Sequence, residues 1–401
     1  MTTTNAHRIP APPTSEARQR LPVLPLLALT TAAFLAILTE ALPAGVLPEM
    51  AAGLSVSESA AGQTLTVYAI ATGLSAIPVV AATASWPRRR LMLAAVLTFA
   101  VANIVTAVSD SYALTMAFRL LAGIAAAVVW AGLPAYAARL SPPHLQGRAI
   151  ALTMAGVPLA LSLGIPLGTF LGELFGWRMT FGLIAAVSAF LMLWIRVSVP
   201  EFPGAPRGQG APILGALRIP GVIAVLFTTA AYVLAHNILY TYIATFLDAN
   251  GMGGQRNLVL LVFGAASVVS IAVTGALVDR RPRLLMILSS VLFLVAAALL
   301  TVLAGDEFTL YLAIVLWGLG WGSVSTLLPT AAADRGGDRA QALLVTTWNS
   351  FMAAGGAVGG LMLSGLGAGS FPWGVAALMI PVVLVVVAAR KHGFPAARPG
   401  L

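Results

Sequence analysis

The chain contains no cysteine, and only 9% of its residues are charged. Without cysteine there is no structural disulfide, no thiolate-ligated zinc and no thiol nucleophile. Soluble domains carry roughly 25% charged residues and about 45–50% apolar ones, whereas 59% of this chain is hydrophobic. Its 22 Lys and Arg and 13 Asp and Glu must serve 401 residues, a length that would make two or three soluble domains. So few charges cannot cover such a surface. This composition excludes a soluble enzyme, a disordered tail and a disulfide scaffold, and the apolar surplus must face lipid. Other signatures are missing too. The four histidines (His7, His144, His236, His392) are too far apart to argue a metal site from spacing, and no cofactor is implied. There is no glycine loop ending in Lys-Ser or Lys-Thr to hold ATP. No clustered His/Asp/Ser set supports the distant alternative of a polytopic membrane enzyme such as an acyltransferase.

What is present is a series of apolar runs. Twelve can be marked, each near the roughly 20 residues that cross a bilayer. They lie at about 24–47, 62–84, 91–108, 112–138, 147–171, 179–199, 220–247, 257–278, 284–304, 308–331, 340–366 and 371–389. None alternates as a barrel strand would, so the expected fold is all-α integral membrane. Residues 1–20 are a polar, Pro-rich tail with no apparent cleavable signal. A bundle of six spans over 21–199 follows, then a Pro/Gly-rich linker at 200–219. A second bundle of six occupies 220–390, and 391–401 form a tail.

The basic residues orient the chain. If the N-terminus is cytoplasmic, 19 of 22 fall in cytoplasmic loops and tails: Arg8, Arg18, Arg20, Arg88, Arg89, Arg90, Arg139, Arg148, Arg196, Arg207, Arg218, Arg280, Arg281, Arg283, Arg335, Arg339, Arg390, Lys391 and Arg398. Arg178 and Arg256 lie outside, and Arg119 lies within a span. The bias satisfies the positive-inside rule with both termini in the cytoplasm. Glu49, Glu58, Asp110, Glu173, Asp248, Asp306 and Glu307 fall on the outer side. The net charge of +9 is therefore a topology signal and requires no nucleic-acid partner.

The halves resemble each other. Arg148-Ala149-Ile150-Ala151-Leu152 opens span 5, and Arg339-Ala340-Gln341-Ala342-Leu343 opens span 11, an offset of 191 that also aligns Gly164 with Gly355 and Gly168 with Gly359. Two six-helix units of the same orientation indicate a parallel pseudo-repeat with a substrate cavity between them at mid-membrane.

A few polar residues sit inside the spans. Glu40 in span 1 and Arg119 in span 4 both lie roughly 11 Å below the outer face, at 1.5 Å per residue. An ionisable group at that depth is costly and marks a functional site by default, although a structural salt bridge joining the two spans is the plainer alternative. His236 falls near the middle of span 7, followed by Asn237, Tyr240, Thr241 and Tyr242. It is either a satisfied core histidine or a titrating group suited to proton coupling. Trp317 and Trp321, four apart in span 10, form either a packing face or an aromatic platform. Tyr68 and Gln63 in span 2 and Trp348 and Asn349 in span 11 are further candidates. In span 5, Gly164, Gly168 and Gly172 repeat every four residues, a stripe that lets another helix approach closely. Pro158 and Pro166 favour bending there. Span 11 has a counterpart in Gly355, Gly356, Gly359 and Gly360. Such stripes serve packing, gating or both.

These residues resemble the major facilitator superfamily, in particular its twelve-span drug:proton antiporter branch. Arg119-Leu120-Leu121-Ala122-Gly123 is similar to that branch's span-4 arginine motif, and Gly164 to Gly172 to its span-5 antiporter motif. Gly275-Ala276-Leu277-Val278-Asp279-Arg280 is similar to the loop motif in its second-half copy. The first-half copy departs from the pattern. Ala81, Ser85, Trp86, Pro87 and Arg88-Arg89-Arg90 stand where Gly-x-x-x-Asp-Arg-x-Gly-Arg-Arg is expected. The missing aspartate puts the usual charge latch between spans 2 and 11 in question.

Bacterial sugar efflux transporters show a similar loss. They also resemble this chain at Thr39-Glu40 with Gly45 and Pro48, from Gly168 through Gly176-Trp177-Arg178-Met179-Thr180-Phe181, and at His236 with Tyr240, Tyr242 and Ile243. The resemblance implies a monomeric, proton-coupled exporter in the bacterial inner membrane. It would carry a small neutral solute, a sugar or glycoside, by alternating access. Glu40, Arg119 and His236 would form the coupling set. Asn237, Tyr240, Trp317, Trp321, Asn349, Tyr68 and Gln63 would line the substrate path, and Gly164, Pro166, Gly168, Gly172, Gly275, Asp279 and Arg280 would serve gating. Chloramphenicol-type multidrug exporters share the Thr-Glu start of span 1. They are the nearer alternative, favoured if the cavity is mainly apolar and aromatic.

Overall fold

A computed structural model describes residues 20–205, 212–302 and 306–396. Arg8, Arg18, Arg207, Arg398 and His7 lie outside the described residues, as do the side chains of Glu58 and Arg256. So do most of the N-terminal tail and parts of the linker and C-terminal tail.

The described residues are helical nearly throughout, and the apolar runs become spans. Spans 1 to 4 are Val23–Gly45, Glu58–Ala82, Arg88–Val108 and Tyr112–Leu140. Span 6 is Trp177–Ser198, and spans 7 to 9 are Val222–Thr241, Arg256–Leu277 and Pro282–Thr301. Span 12 is Phe371–Ala388.

Span 5 is broken. Gln146–Met154 and Gly156–Leu159 lead into a π-helical turn at Ala160–Gly164, and Ile165–Phe175 completes the crossing. Wide π turns inside α-helices favour functional positions. Spans 10 and 11 form one helical run from Glu307 to Leu366, parted at Gly337, whose φ of +53° and ψ of −140° leave the helix. A positive φ is what glycine permits at no Cβ cost. The run folds back there, because the Gln341 amide donates to the Pro329 carbonyl, which a straight helix would hold about 18 Å away. Among the described residues ten helical runs are long and apolar enough to cross a membrane. Dividing one of them at Gly337 and adding the broken span 5 gives the twelve that the sequence leads one to expect.

Local chemistry sets several ends. The Ser57 and Ser111 hydroxyls accept from the backbone N–H groups of Ala60 and Leu114, and Asp306 accepts from Thr309 at 2.8 Å. These are N-caps that satisfy donors with no helical partner. At the other polarity, Arg89 donates to the carbonyls of Arg196 and Val199 at the end of span 6. Arg283 donates to those of Val386, Val387 and Phe394 at the end of span 12. A cation at a helix C-terminus meets the negative end of the helix dipole, and the same device closes both halves.

Two hydrophobic clusters form, one from Leu26 to Val199 and one made almost entirely of Ile213 to Phe394. A small third cluster of Ala76, Ala127 and Val345 bridges them. Between apolar helices in lipid there is little hydrophobic drive, so close approach must supply the packing. The glycine stripes do this in the same way twice. Gly156, Gly164, Gly168 and Gly172 face Thr30, Phe34, Leu38, Leu42 and Val46 of span 1 and its outer end. Gly355 and Gly359 face Asn237, Ile238 and Tyr242 at the end of span 7.

Candidate functional site

Between the halves lies a cavity with about 180 Å³ of water-accessible space. Span 1 lends it Ile37 and Glu40, span 4 Trp130 and Pro134, and span 5 Met154 and Val157. From the other half come Ser325 and Pro329 of span 10 and Gln341, Leu344, Val345, Trp348, Asn349 and Met352 of span 11. Most of these groups are apolar or aromatic. The polar ones are largely committed: the Ser325 hydroxyl donates to Gly322, the Gln341 amide to Pro329 and the Asn349 amide to Val345. Glu40 is the single ionisable group in the lining.

Glu40 and Arg119 do not form an ion pair. Among the described residues the Glu40 carboxylate has no basic partner within 4.0 Å. Arg119 is 1% exposed and turns its guanidinium to backbone. Its Nε donates to the Thr64 carbonyl at 3.1 Å, one terminal nitrogen to Thr39 and the other to the Glu40 carbonyl at 2.9 Å. The Thr39 carbonyl needs such a donor, because the residue four positions later is Pro43, which has no N–H. Tyr68 completes the clamp. Its hydroxyl donates to the Ala36 carbonyl at 2.9 Å and its ring lies 4.9 Å from the Arg119 guanidinium carbon. Asn103 donates to the Thr39 hydroxyl at 3.1 Å. Tyr68, Asn103 and Arg119 therefore hold span 1 from behind while Glu40 faces the cavity. The plain salt-bridge alternative has no support in this geometry.

His236 sits elsewhere. It is 6% exposed and stacks on Trp321 with ring centroids 3.5 Å apart, with Tyr240, Phe263 and Trp317 at 5.2, 5.7 and 5.4 Å. The buried His236 Nδ1 and Trp317 Nε1 have no hydrogen-bond partner. This aromatic cluster belongs to the core of the second half. Of the expected substrate-side residues, only Asn349 lines the cavity. Trp317 is fully buried, Tyr240 is exposed beside His236, Asn237 packs against Gly355, and Gln63 is exposed on span 2. Trp321 stands 5.6 Å from Trp348 and so adjoins the cavity wall. Trp130, Pro134, Met154 and Met352 line the cavity but carry no motif in the sequence, and only their tertiary neighbours reveal them.

The halves are tied near the middle of span 2 and at the arginine-rich face. Asp279, 3% exposed, accepts from the backbone N–H groups of Gly147 at 2.5 Å and Arg148 at 2.9 Å, capping the start of span 5. Arg148 returns a bond to the Ala276 carbonyl, and Gly275 packs on Ala151. Arg280 is exposed beside them. In the first half, which lacks the loop aspartate, an ion pair of opposite polarity joins the same elements. Arg88, which opens span 3, meets Asp338 at the start of span 11, at 2.7 Å. Nearer the middle, the Thr346 hydroxyl donates to the Gly73 carbonyl.

Comparison with known proteins agrees with this architecture. Residues 29–360 match the Major Facilitator Superfamily. A chloramphenicol efflux pump of Mycobacterium tuberculosis is 33% identical over 350 residues, covering 83% of this chain and 84% of the pump. The purine ribonucleoside efflux pump NepI of Escherichia coli K12 is 28% identical over 364 residues, covering 88% and 91%. Among solved structures, the proton:xylose symporter XylE bound to 6-bromo-6-deoxy-D-glucose superposes with a TM-score of 0.74 at 14% identity, covering 92% of this chain and 95% of XylE. At that identity the likeness is one of fold. The chain belongs to the Major Facilitator Superfamily and is a multi-pass membrane transporter, not an enzyme.

Proposed function

We propose that this protein exports a small, uncharged solute bearing an aromatic ring, of the chloramphenicol or nucleoside type, from the bacterial cytoplasm in exchange for protons. The observation that carries the reading is the cavity lining. Two tryptophans, two methionines and several aliphatic groups surround a single carboxyl group, Glu40. Such a site favours an apolar or aromatic body with few polar groups. Trp317 and Trp321, the candidate aromatic platform, pack around His236 instead of lining the cavity. The two most informative relatives are efflux pumps for chloramphenicol and purine ribonucleosides, which supports the same choice.

Glu40 is the proton-coupling group in this proposal. A charge at this depth is costly, and with no ion pair to its carboxylate a proton is the means of removing that charge. Proton and solute then compete for one cavity as the bundles of 21–199 and 220–390 rock about it. The linker spans 200–219, both termini are cytoplasmic and one chain suffices. Arg119 keeps the Glu40 backbone in place, and the Asp279 and Arg88 ties favour the state closed at the cytoplasmic face. His236 contributes through packing rather than by titrating at the cavity.

Everted vesicles carrying the protein, given external labelled chloramphenicol or inosine under an imposed pH gradient, test this reading. Glu40→Gln is expected to abolish gradient-driven accumulation while leaving solute exchange measurable. Gradient-driven transport by Glu40→Gln at the wild-type rate would refute the role of Glu40. Transport of sugars with neither probe carried would refute the substrate class.

A further inference from the structure

The two ties at the arginine-rich face differ in one respect. At the offset of 191 that relates the halves, Gly147 and Arg148 correspond to Asp338 and Arg339. The start of span 5 receives the carboxylate of Asp279 on its backbone N–H groups. A helix start is a favourable place for an anion, because its first N–H groups point outward and the dipole is positive there. The start of span 11 has no such loop carboxylate: Ser85 stands in the position of the acid, and Trp86 and Pro87 lead into Arg88.

In its place is a cavity of about 420 Å³ whose wall includes Arg88, Arg139, Arg339, Asp338, Gly336 and Gly337. Three arginines face one acid. Asp338 is taken by Arg88 at 2.7 Å. Arg139 and Arg339 have no acidic partner within 4.0 Å among the described residues. The Arg88 Nε is buried without a hydrogen-bond partner. Arg139 ends span 4 of one half and Arg339 opens span 11 of the other. Two like charges from opposite halves therefore line one cavity at the arginine-rich end of the spans.

We propose that this cavity binds a phosphate-bearing anion, which supplies at span 11 the negative charge that Asp279 supplies at span 5. Guanidinium groups match phosphate oxygens in pairs, and basic pockets between membrane helices suit anionic headgroups. The anion joins span 4 to span 11 and thereby stabilises the state closed at this face. A phosphodiester headgroup and free phosphate share the chemistry, and the experiment separates them.

The full-length protein, purified in a neutral detergent, is titrated in separate arms with dioleoyl phosphatidylglycerol, inorganic phosphate and dioleoyl phosphatidylcholine. Bound lipid is read by native mass spectrometry, and phosphate by the shift of thermal unfolding. The wild type is expected to bind phosphatidylglycerol or phosphate at least about tenfold tighter than Arg139→Gln/Arg339→Gln. Exposed Arg139→Gln alone should lose about fivefold, and Arg390→Gln, on the same face but outside the cavity, should bind as wild type. Arginine-dependent binding of phosphatidylglycerol alone assigns a lipid headgroup, and of inorganic phosphate as well assigns free phosphate. Equal affinity of the wild type and both cavity variants would overturn the proposal. So would no binding of either probe, or wild-type binding of phosphatidylcholine as tight as that of phosphatidylglycerol. Size-exclusion profiles establish that each variant is folded, and the single variant keeps the test decisive if the double one is not.

Discussion

Replacing Arg119 by methionine tests the clamp on span 1 directly. The substitution keeps an unbranched apolar stem and removes three donated bonds, to Thr64, Thr39 and Glu40. The Thr39 carbonyl suffers most, because Pro43 cannot return a helical bond. An unsatisfied buried acceptor costs about 1–3 kcal/mol. The carbonyls of Thr64 and Glu40 lie in helical turns that offer their own N–H groups, so their loss is nearer about 1 kcal/mol each. The lost contact with the Tyr68 ring adds about 0.5–2 kcal/mol. Together these destabilise the first half by about 3.5–7 kcal/mol, or roughly 10–20 °C in thermal unfolding for a bundle of that size.

A double-mutant cycle with Pro43→Ala decides the cause. Alanine returns an N–H to Thr39, so Pro43→Ala should help more in the Arg119→Met background than in the wild type, by about 1–2 kcal/mol. The cycle is read as fluorescence-detected thermal unfolding in detergent. If Arg119 instead acted as the ionic partner of the Glu40 carboxylate, coupling would appear with Glu40→Gln and not with Pro43→Ala. Additivity with Pro43→Ala to within about 0.5 kcal/mol would refute the clamp.

Gly156→Ala should cost about 1–3 kcal/mol and slow transport. Its Cβ would press on the Thr30 carbonyl, on the Phe34 nitrogen at 2.8 Å and on the Ala33 Cβ at 3.0 Å, all on span 1. Gly182→Ala, with nothing within 4 Å of the new carbon, should be neutral or slightly stabilising, and unfolding curves of the two compare them. Asp306, outside the membrane, has its carboxyl held below the ordinary 3.8 by the Thr309 hydroxyl and backbone N–H. A depressed acid stabilises the fold fully above about pH 3.8 and loses that effect as pH falls through its folded value. The stability difference between wild type and Asp306→Ala should accordingly hold at neutral pH and vanish below that window, as pH-dependent unfolding would show. Reversing the Arg88–Asp338 pair should lower stability as single variants and recover about 1 kcal/mol in Arg88→Asp/Asp338→Arg. A double variant no better than the sum of the singles would show that the pair contributes nothing.

Much of this molecule is legible in its sequence, for reasons that differ by element. Charges avoid lipid, so the apolar runs and the arginines between them mark the spans without reference to packing. Where the chain bends is less clear. The break in span 5 is signalled by Gly156, Pro158 and Pro166, but the turn between spans 10 and 11 lies among Gly336, Gly337 and charged residues that continue the helical pattern. Residue type alone points to Glu40 and Arg119, because an ionisable side chain at mid-span needs a reason. It cannot say that Arg119 turns to the carbonyls of Thr39 and Glu40 instead of the carboxylate.

The sequence by itself determined the class, the spans, the duplication and the superfamily, because each depends on composition or on spacing along the chain. Only the tertiary structure decided which faces meet. Trp130, Met154 and Met352 line the cavity, whereas Trp317 and Tyr68 lie buried away from it. A helix apolar on every side carries no stripe that tells the core from lipid, since both are equally free of water. Its orientation follows from where the glycines let a neighbour approach, and that is a property of pairs of helices rather than of any one of them.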